Sequence, residues 1–405
     1  MKRHMEDILF GILFFFMDTW PIWTLIICVS LAWSFWMRYL NRKFIENIKW
    51  VLLEVRIPKE VFKSPFAMEM VIANALTQSG GVGTWVQRYW LGNVLNWFSL
   101  EIVSTEGNVR FFIRTSKNFK MIIENQLYAQ YPQAEITEVD DYVIPVMASM
   151  NKEPWSLFGA NFILSKEDVF PIKTYVDYNL DQAPEKLDQE QIIDPITPVI
   201  EFLGSMRPGE HLWIQIMVRV ATKRYLKPGN WFKKGDWKDE GKDVIKKLKE
   251  EYGGTEEKPK QMTEIQRQTL SALEKSMLKP GFDTGIRTMY LAKKESFDAF
   301  RIGAMLGAFK QYNSGFLNGF KPTNTTGFDY PWQDPTGRRA RALKQEMFDA
   351  YIRRSYFYEP YKMDPFVLNS EELATIFHLP GAVSETPQLK RIESTKSEPP
   401  TNLPL

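Results

Sequence analysis

Residues 97–114 read WFSLEIVSTEGNVRFFIR. Large apolar side chains alternate with polar or small ones on both sides of Ser104-Thr105-Glu106-Gly107-Asn108. Period-two alternation puts successive side chains on opposite faces of a strand, and two such runs around a Gly-Asn turn predict a β-hairpin. Toward the N-terminus, residues 66–78 are apolar on one side of a helix that starts at Ser64-Pro65 and stops at Gly80-Gly81. A hydroxyl cap followed by proline in the first turn is a helix start. Before it, residues 50–57 (WVLLEVRI) put Val51, Leu53, Val55 and Ile57 on one face and read as a strand. Toward the C-terminus, Ser116 caps a helix with the stripe Phe119, Ile122, Ile123 and Leu127, and residues 134–139 close the unit as a short strand. The resulting order, β-α-β-β-α-β, is the ferredoxin-like arrangement.

A second copy follows. Its predicted elements are a strand at 173–178, a helix at 197–206, strands at 211–220 (HLWIQIMVRV) and 286–292, a helix at 297–312 and a last strand at 316–320. Between its middle strands lies a polar insertion, 223–279, with a charged helix at 243–252 and an amphipathic one marked by Met262, Ile265, Thr269, Leu273 and Met277. An excursion of that size at a hairpin position is expected to project from the surface. Residues 321–336 are loop-like, and 338–358 form a helix with Leu343, Met347, Ala350 and Tyr351 on one side. From 380 to 405 the chain is proline-rich and aperiodic, the composition of an extended tail.

The apolar stretch 19–38 (TWPIWTLIICVSLAWSFWMR) has no charge before Arg38. Its uncharged part, at ~1.5 Å per residue, is about 29 Å long, close to the ~30 Å hydrocarbon core of a bilayer. Trp20, Trp23 and Trp36 stand where interfacial anchors belong, and no small-residue cleavage site follows. Residues 8–17 are too short to span and read as an interfacial or re-entrant segment. Arg38, Arg42 and Lys43 after the span outweigh Lys2 and Arg3, which Glu6 and Asp7 offset. By the positive-inside rule the bulk of the chain is cytoplasmic, giving a single-pass protein of the inner membrane. The fold class is therefore α+β: a membrane anchor (1–45), two ferredoxin-like modules (46–150 and 151–322), loop and basic helices (323–379), and an extended tail (380–405).

Composition and motifs exclude more than they assign. A formal net charge of +2 argues against a strongly cationic nucleic-acid coat protein. The sole cysteine, Cys28, lies in the apolar span, so neither an internal disulfide nor a cysteine metal site is expected. The nearest approach to a phosphate loop, 235–243, has its glycines misplaced and Asp243 where a hydroxyl would hold magnesium. His4, His211 and His378 have no metal-ligand spacing; His211 reads as a structural or surface histidine and His378 as a helix-end cap. No nucleophile elbow occurs, and no cofactor is predicted. A site made of dispersed carboxylates would leave no mark in one sequence. Arg338, Arg339, Arg341, Arg353 and Arg354, interleaved with Tyr351, Tyr356, Phe357 and Tyr358, have the composition of a single-stranded nucleic-acid surface. The plain alternative is a solvated helix braced against the modules.

The motifs SEELAT at 370–375, FHLP at 377–380, Thr386-Pro387 and PPTNLP at 399–404 resemble the linker between membrane-proximal region and motor in type IV secretion and conjugative-transfer ATPases of candidate-phyla bacteria. The span, the strand at 52–57 and the helix at 65–76 resemble the front half of that family. The resemblance implies a Walker ATPase a few dozen residues further on, whereas this chain ends at Leu405, so the expectation is either a motor in a separate polypeptide or a stand-alone relative, with any ATP hydrolysis in a partner chain. The expectation is a non-enzymatic, membrane-anchored component of a DNA- or protein-transfer machine that docks a cytoplasmic ATPase and could meet further copies of itself. The alternative is a membrane-tethered protein that binds single-stranded nucleic acid.

Overall fold

The computed structural model describes residues 18–58, 63–79, 83–181, 193–223, 225–226, 234–255, 258–259, 261–328 and 330–380. The segment 8–17 with the charges before it and His4, the Gly80-Gly81 stop and the tail 381–405 lie outside the described residues. Two compact units appear, 1–48 with 81–95 and 49–80 with 96–405.

In the first unit, α1 (Trp20–Glu46) is a 27-residue apolar helix with no buried residue, long enough to cross a membrane. Thr19 accepts the indole N–H of Trp23 at 3.0 Å, and Pro21 occupies the first turn, where its missing N–H costs nothing. The short helix α2 (Trp85–Tyr89) starts at a Thr84/Gln87 capping box. Its Tyr89 ring lies 6.0 Å from that of Trp33. Downstream, Gly92 (φ +68) runs so close to α1 that a Cβ would stand 2.6 Å from the Leu40 carbonyl carbon, which only glycine permits.

The second unit is built on one nine-stranded antiparallel sheet. In chain order its elements are β1 (Trp50–Arg56), α3 (Pro65–Val71, extended by a π-turn, Ile72–Leu76), β2 (Phe98–Thr105), β3 (Asn108–Ser116), α4 (Lys120–Gln130), β4 (Glu135–Val139) and α5 (Val143–Met150). Then come β5 (Trp155–Leu164), α6 (Thr197–Gly204), β6 (Glu210–Val220), α7 (Trp237–Gly253), α8 (Glu264–Leu278), β7 (Gly281–Lys293), α9 (Phe300–Gly307), β8 (Phe320–Thr323), α10 (Arg338–Ile352), β9 (Phe366–Asn369) and α11 (Ser370–Ile376). The strand order is β8-β5-β7-β6-β2-β3-β1-β4, with β9 added on β7 beside the end of β5. Each half of the path repeats one pattern, its fourth, first, third and second strands from the outside inward. The halves join through β2 and β6, with Leu100 opposite Ile216 and Ile102 opposite Ile214.

Alternation decides the two faces. Leu100 and Ile102, Ile214 and Ile216, and Ile286 and Tyr290 point to one side, where they form the main core with Met68 and Val71 of α3, Leu127 of α4, Leu203 of α6 and Leu373 of α11. Phe112, Trp213 and Met289 point to the other, against Val143 and Val146 of α5 and Met347 and Tyr351 of α10.

Several expectations change. Residues 173–178 are turns rather than the first strand of the second half, because Asp177 accepts the Thr174 N–H and curls the chain. That strand is β5, whose apolar residues face both sides and therefore show no simple alternation. The last strand of that half is at Phe320–Thr323 instead of 316–320. The insertion does not simply project. Val169, in the turn after β5, joins Ile245, Leu270 and Leu273 in a small core, and Trp237 lies over Gly281, where a Cβ would meet its indole nitrogen at 2.3 Å.

Candidate functional site

On the α10 side of the sheet, one register line carries four polar residues across four strands. Asn161 on β5 stands opposite Arg287 on β7, Arg287 opposite Gln215 on β6, and Gln215 opposite Glu101 on β2. All four are almost completely buried. Arg287 donates from Nε to Asn161 Oδ1 at 3.3 Å, from Nη1 to Gln215 Oε1 at 3.1 Å and from Nη2 to the Ser355 carbonyl at 3.1 Å. Gln215 Nε2 donates to Glu101 Oε1 at 3.2 Å. Buried polar groups persist only when hydrogen-bonded, and this ladder meets that demand by pairing across strands.

The two ends of the ladder differ. At one end Glu101 accepts two hydrogen bonds from Arg354, at 3.0 and 3.2 Å, one from the Tyr142 hydroxyl at 2.7 Å and one from Ser99 at 2.5 Å. Arg354 also bonds both carboxylate oxygens of Asp141. Burial works to raise the Glu101 pKa, yet the Arg354 charge and these donors win and hold it below the ordinary carboxylate range. This end is a closed ion-pair network. At the other end, Arg287 has no carboxylate partner among the described residues, and burial lowers its pKa to about 10.

That uncompensated end opens into a cleft of about 800 Å³ between α10, the 324–326 loop and the 360–364 segment. Asn161 and Arg287 line it together with Thr326, and Leu343, Met347 and Met363 add apolar wall. Among the described residues no group of three or more His, Cys, Asp or Glu side chains could hold a metal ion.

The arginines singled out in the sequence do not act as one set. Arg338, Arg339, Arg341 and Arg353 are exposed on α10 or at its end. Arg339 lies 5.4 Å from the Phe328 ring and Arg353 pairs with Asp349 at 2.8 Å. Arg354 is a correction: it is 1% exposed and committed to Glu101 and Asp141, so it cannot reach a phosphate. Its φ of +50 ends the helix at Ile352, six residues before the expected limit. Tyr351, Tyr356 and Phe357 are buried too, so they offer no stacking surface to a base.

The C-terminal motif also proves to be interior. Ser370, Glu372, Leu373, Ala374, Thr375, Phe377 and His378 are all buried. Glu372 accepts the N–H groups of Asn369 and Ile172, and Ser370 donates to Glu69, which also accepts the Tyr175 hydroxyl and the Lys279 ammonium. His378 pairs with the Ala374 carbonyl at 2.8 Å, as a helix-end cap would, and with Asp194 at 3.0 Å. His211 is buried against the Trp155 ring, and desolvation lowers its pKa to about 4. In the first unit Trp20, Trp23 and Trp36 are exposed along α1, with Arg38, Arg42 and Lys43 near its end. Sequence reading missed Glu101, Asn161, Gln215 and Arg287. The available signal was a polar residue at an inward position of otherwise apolar strands, as in WIQIM and GIRTM.

No curated protein matches the chain. A family match runs from within β1 to beyond α11, over residues 52–391, and thus takes in the sheet, the ladder and the cleft. The chain belongs to the family described as Domain of unknown function (DUF8128).

Proposed function

We propose that the protein is a non-enzymatic, membrane-anchored docking component of a type IV secretion-like or conjugative transfer machine, holding a separate cytoplasmic ATPase at the inner membrane. The observation that carries the membrane part is the packing of residues 83–95 against α1 through Tyr89 on Trp33 and Gly92 on Leu40. A leader destined for removal would leave that downstream segment without its partner. Trp85 and Trp90, about 70% exposed, continue the apolar surface of α1, as an aromatic belt at a headgroup layer would. Arg38, Arg42 and Lys43 favour a cytoplasmic location for the residues that follow.

The repeated fourth-first-third-second strand order supports reading each half as a ferredoxin-like module, the pair sharing one sheet. The burial of Ser370 and of residues 372–379 supports docking, since it fixes in the core the stretch that precedes the proline-rich tail. The second reading, single-stranded nucleic-acid binding, is favoured by one observation, the exposure of Arg338, Arg339 and Arg341 together at the start of α10.

The test uses the full chain captured from membranes solubilised in mild detergent. The expected result is ATP hydrolysis in the eluate that is lost when residues 381–405 are removed. A reporter fused after Leu405 is expected to be active in the cytoplasm. A reporter active outside overturns the orientation, and an eluate without an ATPase overturns the docking role.

A further inference from the structure

We propose that the cleft beneath α10 binds a small organic anion, its carboxylate or phosphoryl head seated on Arg287 and Asn161 and its apolar body against Leu343, Met347 and Met363. The argument begins with an imbalance of donors and acceptors. Three of the five guanidinium N–H groups of Arg287 are used, on Asn161, Gln215 and the Ser355 carbonyl, all neutral acceptors. One N–H on each terminal nitrogen has no acceptor among the described residues. Among the described residues, the Asn161 amide nitrogen donates only to the Met363 thioether at 3.3 Å, a weak acceptor. Donors therefore outnumber acceptors at the floor of the cleft.

Charge points the same way. A guanidinium that is 1% exposed with no carboxylate beside it is costly to keep. The nearest carboxylate along the register line, Glu101, is separated from it by Gln215 and already engaged by Arg354. An oxyanion entering the cleft would supply the missing charge and accept the remaining N–H groups, and a guanidinium suits such a group because its parallel donors match two oxygens.

The walls define the rest of the ligand. A volume of about 800 Å³ far exceeds a bare phosphate and falls in the range of small-molecule sites, ~300–1,000 Å³. The two methionines give an adaptable apolar lining. Glu346 and Asp364 also line the cleft and are exposed, opposing an anion from the rim, while Lys362 favours it. The depth of Arg287 excludes a broad macromolecular surface and admits only a slender group.

The experiment is calorimetric titration of the full chain in detergent with phenyl phosphate, benzoate, benzyl alcohol and inorganic phosphate. The better of the two aromatic anions is expected to bind at least ~10-fold more tightly than both the alcohol and inorganic phosphate, and which anion wins assigns the head. Leu343→Trp, at a rim position 38% exposed, should weaken binding at least ~10-fold while leaving the unliganded unfolding midpoint unchanged. Glu346→Gln should tighten it about 2–3-fold by removing a like charge. Arg287→Gln should abolish it; if that variant fails to fold, Leu343→Trp and Glu346→Gln carry the test. Equal binding of the alcohol, no heat with either anion up to about 10 mM, or unchanged affinity in Leu343→Trp overturns the proposal.

Discussion

Glu372 stands in the first turn of α11 with each carboxyl oxygen accepting a backbone N–H, from Asn369 and from Ile172. Those bonds favour the ionised form, but burial outweighs them and pushes its pKa up to about 8, with Glu371 and Asp168 adding repulsion. In the unfolded chain the same group titrates near the ordinary ~4.3. Between those values the native state holds a proton that the unfolded state has lost, so stability falls as pH rises from about 4.3 to about 8. His378 acts in the same direction. Burial works to lower its pKa, yet the Asp194 charge and hydrogen bond raise it above the ordinary value. Its contribution is therefore complete below ~6.5 and is lost as pH passes the raised value. Urea titrations of the full chain at intervals from about pH 6.5, above which the depressed His211 no longer adds an opposing rise, to pH 8.5 should show falling stability, with a shallower fall in Glu372→Gln. Stability that rises over that range would contradict the assignment. None of this was legible in the sequence, where SEELAT has the look of a solvent-exposed charged segment. Its burial is fixed by partners such as Ile172 and Asp194, far away in the chain.

Among the elements, α10 was readable and yet misleading. Of the expected stripe Leu343, Met347, Ala350 and Tyr351, the last three are buried, with Met347 and Tyr351 packed on the sheet, whereas Leu343 is exposed. The C-terminal limit was invisible, because a left-handed turn at an arginine rather than a glycine leaves no sequence signal. The strands show the same division. The hairpin β2-β3 has one alternating core face and was found. In β5, burial on both faces and the glycine at 159 erase the period, whereas Tyr175 and Val176 give 173–178 a strand-like look that the structure does not bear out. For α10 the expected role is a brace. A soluble fragment from Lys49 onward should show no salt-sensitive binding to single-stranded oligonucleotides. Were the helix a phosphate-binding surface, each contact would add ~0.7 to the log–log salt slope, and replacing Arg338, Arg339 and Arg341 with Gln would lower it by about 2. Submicromolar binding with that slope would reverse the order of the two functional readings.

At the scale of the whole molecule, a mixed α+β chain with an apolar N-terminal helix was legible, but nothing in the sequence announced one shared antiparallel sheet. The pairing of β2 with β6 depends on edges meeting across more than a hundred residues, and local periodicity carries no such information. The insertion gives the corresponding stability prediction. Removing residues 227–260 takes Trp237 from Gly281 and Ile245 from the small core at Val169. The sheet should still unfold in one transition, at a lower urea midpoint, with a loss on the order of 3–5 kcal/mol from the tryptophan alone. Far-ultraviolet circular dichroism and tryptophan fluorescence recorded together check this, and transitions that fail to coincide would make the insertion part of the cooperative core. The ends of the sheet have a different consequence. β4 presents Glu135 and Glu138 and β8 presents Lys321 and Pro322, the last without an N–H to offer. Charges and proline on outer strands discourage a neighbour from zipping on. Copies of the chain brought together would thus remain separate beads, and any ring or filament they build must be fastened by side chains rather than woven from backbone.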